Sequence, residues 1–120
     1  MKIMNSILNS VKKLIGLTEE YKQFDEDLII HINSVFAILY QLGVGSTPFS
    51  ITGESETWDD YIQLEDDVNI QDVKSYVYFK TKLMFDPPTN SVVLGSIEKQ
   101  IAELEWRLNV EADDWGDGNG

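Results

Sequence analysis

His31 is the only histidine in the chain, and Asp27 stands one helical turn before it. The two are the sequence's nearest approach to a general base with an orienting carboxylate. No cysteine and no second histidine accompanies them, so the pair lacks a nucleophile to activate. A packed or surface imidazole is the simpler use of His31. The acidic runs Asp59-Asp60, Glu65-Asp66-Asp67 and Asp113-Asp114 offer hard oxygen ligands. The Asp-x-Asp-x-Asp-Gly loop with a closing glutamate, which wraps calcium, is missing, and these runs read as solvated charge. Gly43-Val44-Gly45 lacks the spacing, the lysine and the preceding strand of a phosphate cradle, and reads as a helix stop. Glu98, Glu103 and Glu105 share one helical stretch with Lys99 and Arg107. There Glu103 precedes Arg107 by four residues, the orientation that supports a helix. The residues therefore point to no catalytic residue, no cofactor and no metal.

The elements that would position these groups are helices. Ile3, Ile7, Val11, Leu14 and Ile15, with Leu8 alongside, trace one face of a first helix that stops at Gly16, with Lys12 and Lys13 near the negative end of its dipole. A short link, 18–23, follows. Asp25, Glu26 and Asp27 favour the start of a second helix over 28–42, the most apolar of the set, and Gly43 supplies its stop.

Residues 44–69 break this pattern, with one helical turn expected over 57–62, capped by Thr57. A connection of this length inside a small domain tends to be functional. Phe49, Ile51 and Trp58 make it too apolar for an idle linker. They are expected either to touch a neighbouring molecule or to cap the domain's own core.

Asn69, with Asp72 three residues on, caps a third long helix along Val73, Tyr76, Val77, Lys80, Leu83 and Met84. Asp86-Pro87-Pro88 ends it and forces a corner. Thr89 or Asn90 begins a fourth long helix with Val93, Leu94, Ile97, Ile101, Leu104 and Leu108 on one side. The last ten residues, 111–120, hold Asp113, Asp114, Asp117 and three glycines around Trp115 and read as a flexible acidic tail. The expected fold is mainly α: a small bundle of about four helices over 1–110, with a long inter-helix loop and that tail.

Composition bounds what such a bundle does. At 120 residues the chain fits one domain, and at 42% apolar it has the means to fold. Its 21 acidic against 9 basic residues give a charge of -12, which repels nucleic acid phosphates and disfavours specific DNA binding. No stretch approaches the length of a membrane span or a signal-peptide core, so a soluble protein of a reducing cytoplasm is expected. The absence of cysteine means that packing alone holds the fold.

Tyr76-Val77-Tyr78-Phe79-Lys80, then Leu83-Met84-Phe85-Asp86-Pro87-Pro88, then Glu103-Leu104-Glu105-Trp106-Arg107-Leu108-Asn109 resemble the head-tail connector proteins of tailed phages and prophages of low-GC Gram-positive bacteria. The opening Ile7 to Gly16, Ile30-His31-Ile32-Asn33 and Gln41 to Gly45 match in the same order. The Phe-Asp-Pro-Pro corner and the Glu-Trp-Arg-Leu-Asn stretch are the most specific parts. The resemblance implies a structural adaptor in the virion, assembled in the host cytoplasm. It implies a homo-oligomeric ring of about twelve subunits between the portal protein and a tail-side stopper or neck protein, through which DNA passes without specific binding. On this chain it places portal contacts in 105–120, with Trp106, Arg107 and Trp115 as anchors. Contacts to a neighbouring subunit or the next ring fall in 44–67, with Phe49, Ile51 and Trp58. Acidic residues along the channel would then keep DNA from sticking.

Three other readings compete. A small acidic inhibitor mimicking DNA needs carboxylates in regular rows on exposed helix faces, whereas many here fall in loops and the tail. A metal-dependent nuclease needs carboxylates held rigidly around a cation. A helical adaptor of a non-phage injection machine shares the mechanics and differs only in genomic setting.

Overall fold

The computed structural model describes residues 6–45, 47–64 and 69–119, with side chains described to residue 61 in the third helix and to 110 in the last. The helices are α1 (Ile7–Leu14), α2 (Asp25–Gln41), α3 (Trp58–Leu64), α4 (Ile70–Phe85) and α5 (Ser91–Asn119). Among the described residues there is no strand beyond a single antiparallel bridge between Ser6 and Thr57. The mainly helical bundle expected from the spacing is the fold observed.

Local chemistry sets most boundaries. Ser6 Oγ accepts the Asn9 N–H at the start of α1. At its end Gly16 takes φ +95°, and Leu17 N–H and Gly16 N–H return to the Lys12 and Lys13 carbonyls. The same paired closure ends α2, where Gly43 has φ +93°, and Gly43 and Val44 bond back to Tyr40 and Leu39. α2 has no side-chain cap at its start; Asp25, Glu26 and Asp27 put negative charge in its first turn instead. Thr57 and Asp60 cap α3 reciprocally, each side chain accepting the other's backbone N–H. Asn69 Oδ1 accepts the Asp72 N–H at α4, and Asn90 Oδ1 accepts from Val92 and Val93 at α5.

α4 is the hub. It packs most extensively on α2, then on α5, and also touches α1. Val73, Tyr76 and Val77 of α4 meet Leu28, Ile32, Val35, Phe36 and Leu39 of α2 and Ile7, Leu8 and Val11 of α1 in one core. Ile101, Leu104 and Leu108 of α5 close it from the other side. The result is a slab of 46 × 39 × 19 Å.

Lys12 and Lys13 lie in the last turn of α1, as the spacing predicts, but the fold adds a role to Lys12: its side chain is fully buried, with Nζ 2.8 Å from Asp25 Oδ1 and 3.1 Å from the Glu19 carbonyl. The link between α1 and α2 closes over it, and a buried ammonium is tolerated because both partners satisfy it. Helical backbone in α5 continues to Asn119. No proline interrupts it, and extending a formed helix costs far less than starting one.

Candidate functional site

The residues that could do chemistry do not converge. His31 is half-buried on α2, and no hydrogen bond or ion pair joins it to Asp27 among the described residues. Asp59 and Asp60 lie exposed in the first turn of α3, where Asp60 is occupied by capping. Glu65-Asp66-Asp67 and the side chains of Asp113 and Asp114 lie outside the described residues. Among the described residues no group of three or more His, Asp or Glu is arranged to hold a metal ion. No described helix is long and apolar enough to cross a membrane.

A shallow cleft between α4 and α5 is bounded by Asp72, Ser75, Phe79, Gln100, Glu103 and Arg107. Arg107 spans it, with Nη2 2.7 Å from Glu103 Oε2 and Nη1 3.1 Å from Asp72 Oδ1. The Glu103 hydrogen bond, and then the Asp72 charge, raise the guanidinium pKa further and so favour its charged form. The pairing with Glu103 follows from the four-residue spacing, while Asp72 comes from a different helix and was missed. Beside the cleft the Tyr76 hydroxyl donates to Glu105 Oε2 at 2.7 Å. Burial, reinforced by that carboxylate, raises the phenol well above its ordinary value. These contacts clamp α5 to α4 and offer no nucleophile.

The long loop is tied inward. Asn33 of α2 brackets Ile51, its Nδ2 donating to the Ile51 carbonyl at 2.9 Å and its Oδ1 accepting the Ile51 N–H at 2.7 Å. Asn9 Nδ2 donates to Glu54 Oε1, Ile7 N–H donates to the Glu56 carbonyl, and the Trp58 indole N–H donates to Ser10 Oγ at 2.9 Å. The hydrogen bond from Asn9, with Lys22 beyond it, holds the Glu54 carboxyl below its usual range. Burial opposes the same change at Glu56, but hydrogen bonds from Thr52, Gly53 and its own backbone outweigh it and lower that group too. Ile51 and Trp58 are buried, and Phe49 is half-buried with its ring 5.0 Å from Phe36 and 5.2 Å from Tyr61. Of the two uses open to these three residues, capping the domain's own core is the one this packing displays.

The C-terminal candidates separate. Trp106 is 66% exposed on α5, one residue from the half-buried Arg107, while the Trp115 side chain lies outside the described residues. Other large apolar side chains stand in solvent: Ile30 and Tyr40 on α2, Met84 at the end of α4, and Val92, 79% exposed, with Val93 at the start of α5. Ile30 could have been found from spacing, because it falls opposite the Leu28, Ile32, Val35 and Leu39 stripe. Val93 and Leu94, expected on the packed side of α5, are exposed and half-buried, because the described part of α5 is buried only from Ile101 to Leu108.

No curated protein and no solved structure matches the chain. A family model described as phage connector protein matches residues 7–114, from the first residue of α1 well into α5.

Proposed function

The chain belongs to the phage connector protein family, and from that premise we propose that it is the adaptor of a tailed phage's neck, a structural subunit and not an enzyme. Copies form a ring beneath the portal protein, meet a stopper or neck protein on the tail side, and leave a channel for DNA. The observation that carries this reading is the length of the family match, which covers every helix that builds the core. The exposed Trp106 agrees with it, since a large aromatic left in water is a natural anchor for a partner's pocket. Residues 105–120, with Trp106, Arg107 and Trp115, are the portal-docking segment. The loop 44–67 meets a neighbouring subunit or the next ring through the surface around Phe49, Ile51 and Trp58, whose own side chains largely fill the core. The excess carboxylates line the channel, where they repel DNA. Assembly takes place in the host cytoplasm and ends in the virion.

Electron microscopy of the chain mixed with its candidate portal protein, with and without residues 111–120, tests this. A ring added to the portal's tail-side face, lost on truncation, is the expected result. Absence of association at any salt concentration overturns it in favour of an acidic inhibitor that mimics DNA.

A further inference from the structure

One residue in four of this chain is charged, yet no Asp, Glu, Lys or Arg occurs between Asp27 and Glu54. That stretch is not simply core. It contains all but the first turn of the solvent face of α2, where Ile30, Ser34, Ala37, Tyr40 and Gln41 are all exposed and only Glu26, one turn before Ile30, brings a charge to the same side. These positions fall within about a third of a turn around the helix, opposite its buried stripe. An ordinary solvated helix face carries charge; one stripped of it is the composition of an interface core.

The second face lies across the slab. α4 packs between α2 and α5, and the outer side of α5 presents Val92, Lys99, Ala102, Glu103 and Trp106, all exposed and opposite Ile101, Leu104 and Leu108. Its charges nearly balance: Glu98, Glu103 and Asp72 stand against Lys99 and Arg107, with Glu103 and Asp72 bound to Arg107, which leaves one net negative charge. Two copies at -12 each repel over most orientations. Contact between the uncharged later turns of α2 and the nearly neutral face of α5 lowers that repulsion and covers the apolar side chains both leave in water.

We propose that the outer face of α2 in one copy, through Ile30, Ala37 and Tyr40, packs against the outer face of α5 in the next, through Val92 and Ala102, up to the margin where Trp106 begins the portal-docking segment. The occupant of each face is therefore a second copy of this chain. Such a contact uses two different surfaces, so it propagates head to tail and closes into a ring when the rotation per copy allows. A stable contact of this kind buries roughly 800 Å² on each partner. The inference rests on the connector reading in supposing that copies assemble side by side, and it assigns the surfaces they use.

The chain has no cysteine, so introduced thiols report without background. Ala37→Cys, Ala102→Cys and the double variant are treated with a short bismaleimide, alone and after mixing with the portal protein, and separated under denaturing conditions. The double variant is expected to give a ladder of multimers, while neither single variant gives a cross-linked species. A dimer from Ala37→Cys alone, with no ladder from the double variant, overturns the proposal in favour of a symmetric contact. Recruitment to the portal without any cross-link overturns the contact and leaves the connector reading standing. Failure both to reach the portal and to self-associate overturns both. Ala37→Glu gives an independent arm: the number of copies held on the portal should fall more than tenfold with the unfolding temperature unchanged, and unaltered occupancy overturns the proposal.

Discussion

Two stretches of this chain are punctuated by proline and glycine, and they fold to opposite ends. The loop after α2 is bracketed by Asn33, tied to α1 through Asn9 and Ile7, and sealed by Trp58, so that Ile51 is only 2% exposed. Beyond Pro87-Pro88 the chain enters a helix, yet none of residues 91–100 is buried and Val92 is 79% exposed. Irregular backbone here belongs to the fold, whereas regular backbone is left facing outward. Whether an apolar residue serves the fold or a partner is thus told by what bonds its neighbours make within the chain, and not by whether it lies in a loop or a helix.

The largest effect that could break this contrast is at Trp58. Trp58→Ala removes a buried ring beside Phe36, the bond to Ser10 and the Lys74 ammonium 5.6 Å from the ring centroid. A loss of about 3–5 kcal/mol is expected from urea unfolding, a large share of a small domain's stability. A loss below about 1 kcal/mol would show that the loop is an arm lying on the domain and not part of it. Asn33→Ala comes next. It strips both hydrogen bonds from Ile51 and leaves that backbone unsatisfied, at a cost of about 2 kcal/mol. Hydrogen exchange at the Ile51 amide should rise far more than at Leu39 on the same helix.

The helices of both regions were legible in the sequence because caps and stops act locally. Gly16, Gly43, Asn69 and the Asp86-Pro87-Pro88 corner each do what their neighbours in sequence dictate. The long-range ties were not legible. Asn33 reads as a polar residue on a helix, and only the fold brings Ile51 to it across eighteen positions. Lys12 reads as a cation completing a helix dipole, and only the closing link reveals it as buried against Asp25. The partner surfaces were half legible. Trp106 stands out by its motif and Ile30 by its spacing, while Val92 emerges only once the packed side of α5 is known.

Acid should loosen the loop and spare the packing of α4 on α2. Both Glu54 and Glu56 titrate below their ordinary value of 4.5 in the folded chain. A carboxyl depressed on folding contributes stability that is complete above its unfolded pKa and is lost as pH falls through the lower folded one. The window therefore opens beneath pH 4.5. The NMR signal of the Trp58 indole N–H should begin to move there, ahead of any change in helical circular dichroism. Simultaneous change in both signals would mean that the loop and bundle are one cooperative unit.

The smallest effect on stability sharpens the comparison most. Val92 and Trp106 are exposed, and among the described residues neither side chain makes a hydrogen bond. Replacing both with serine should shift unfolding by less than about 0.5 kcal/mol, the usual range for solvated positions. If the outer face of α5 meets another molecule, the same double variant should sharply lower the number of copies that light scattering or microscopy finds on the portal. Trp58→Ala should give the reverse pattern, with lost stability and near-normal occupancy among the molecules that remain folded. Loss of assembly without loss of stability at one site, and of stability without assembly at the other, separates surface from core more sharply than exposure does. A single variant that lost both would show that partner contact and folding are coupled through α5, and the distinction between the two regions would fall.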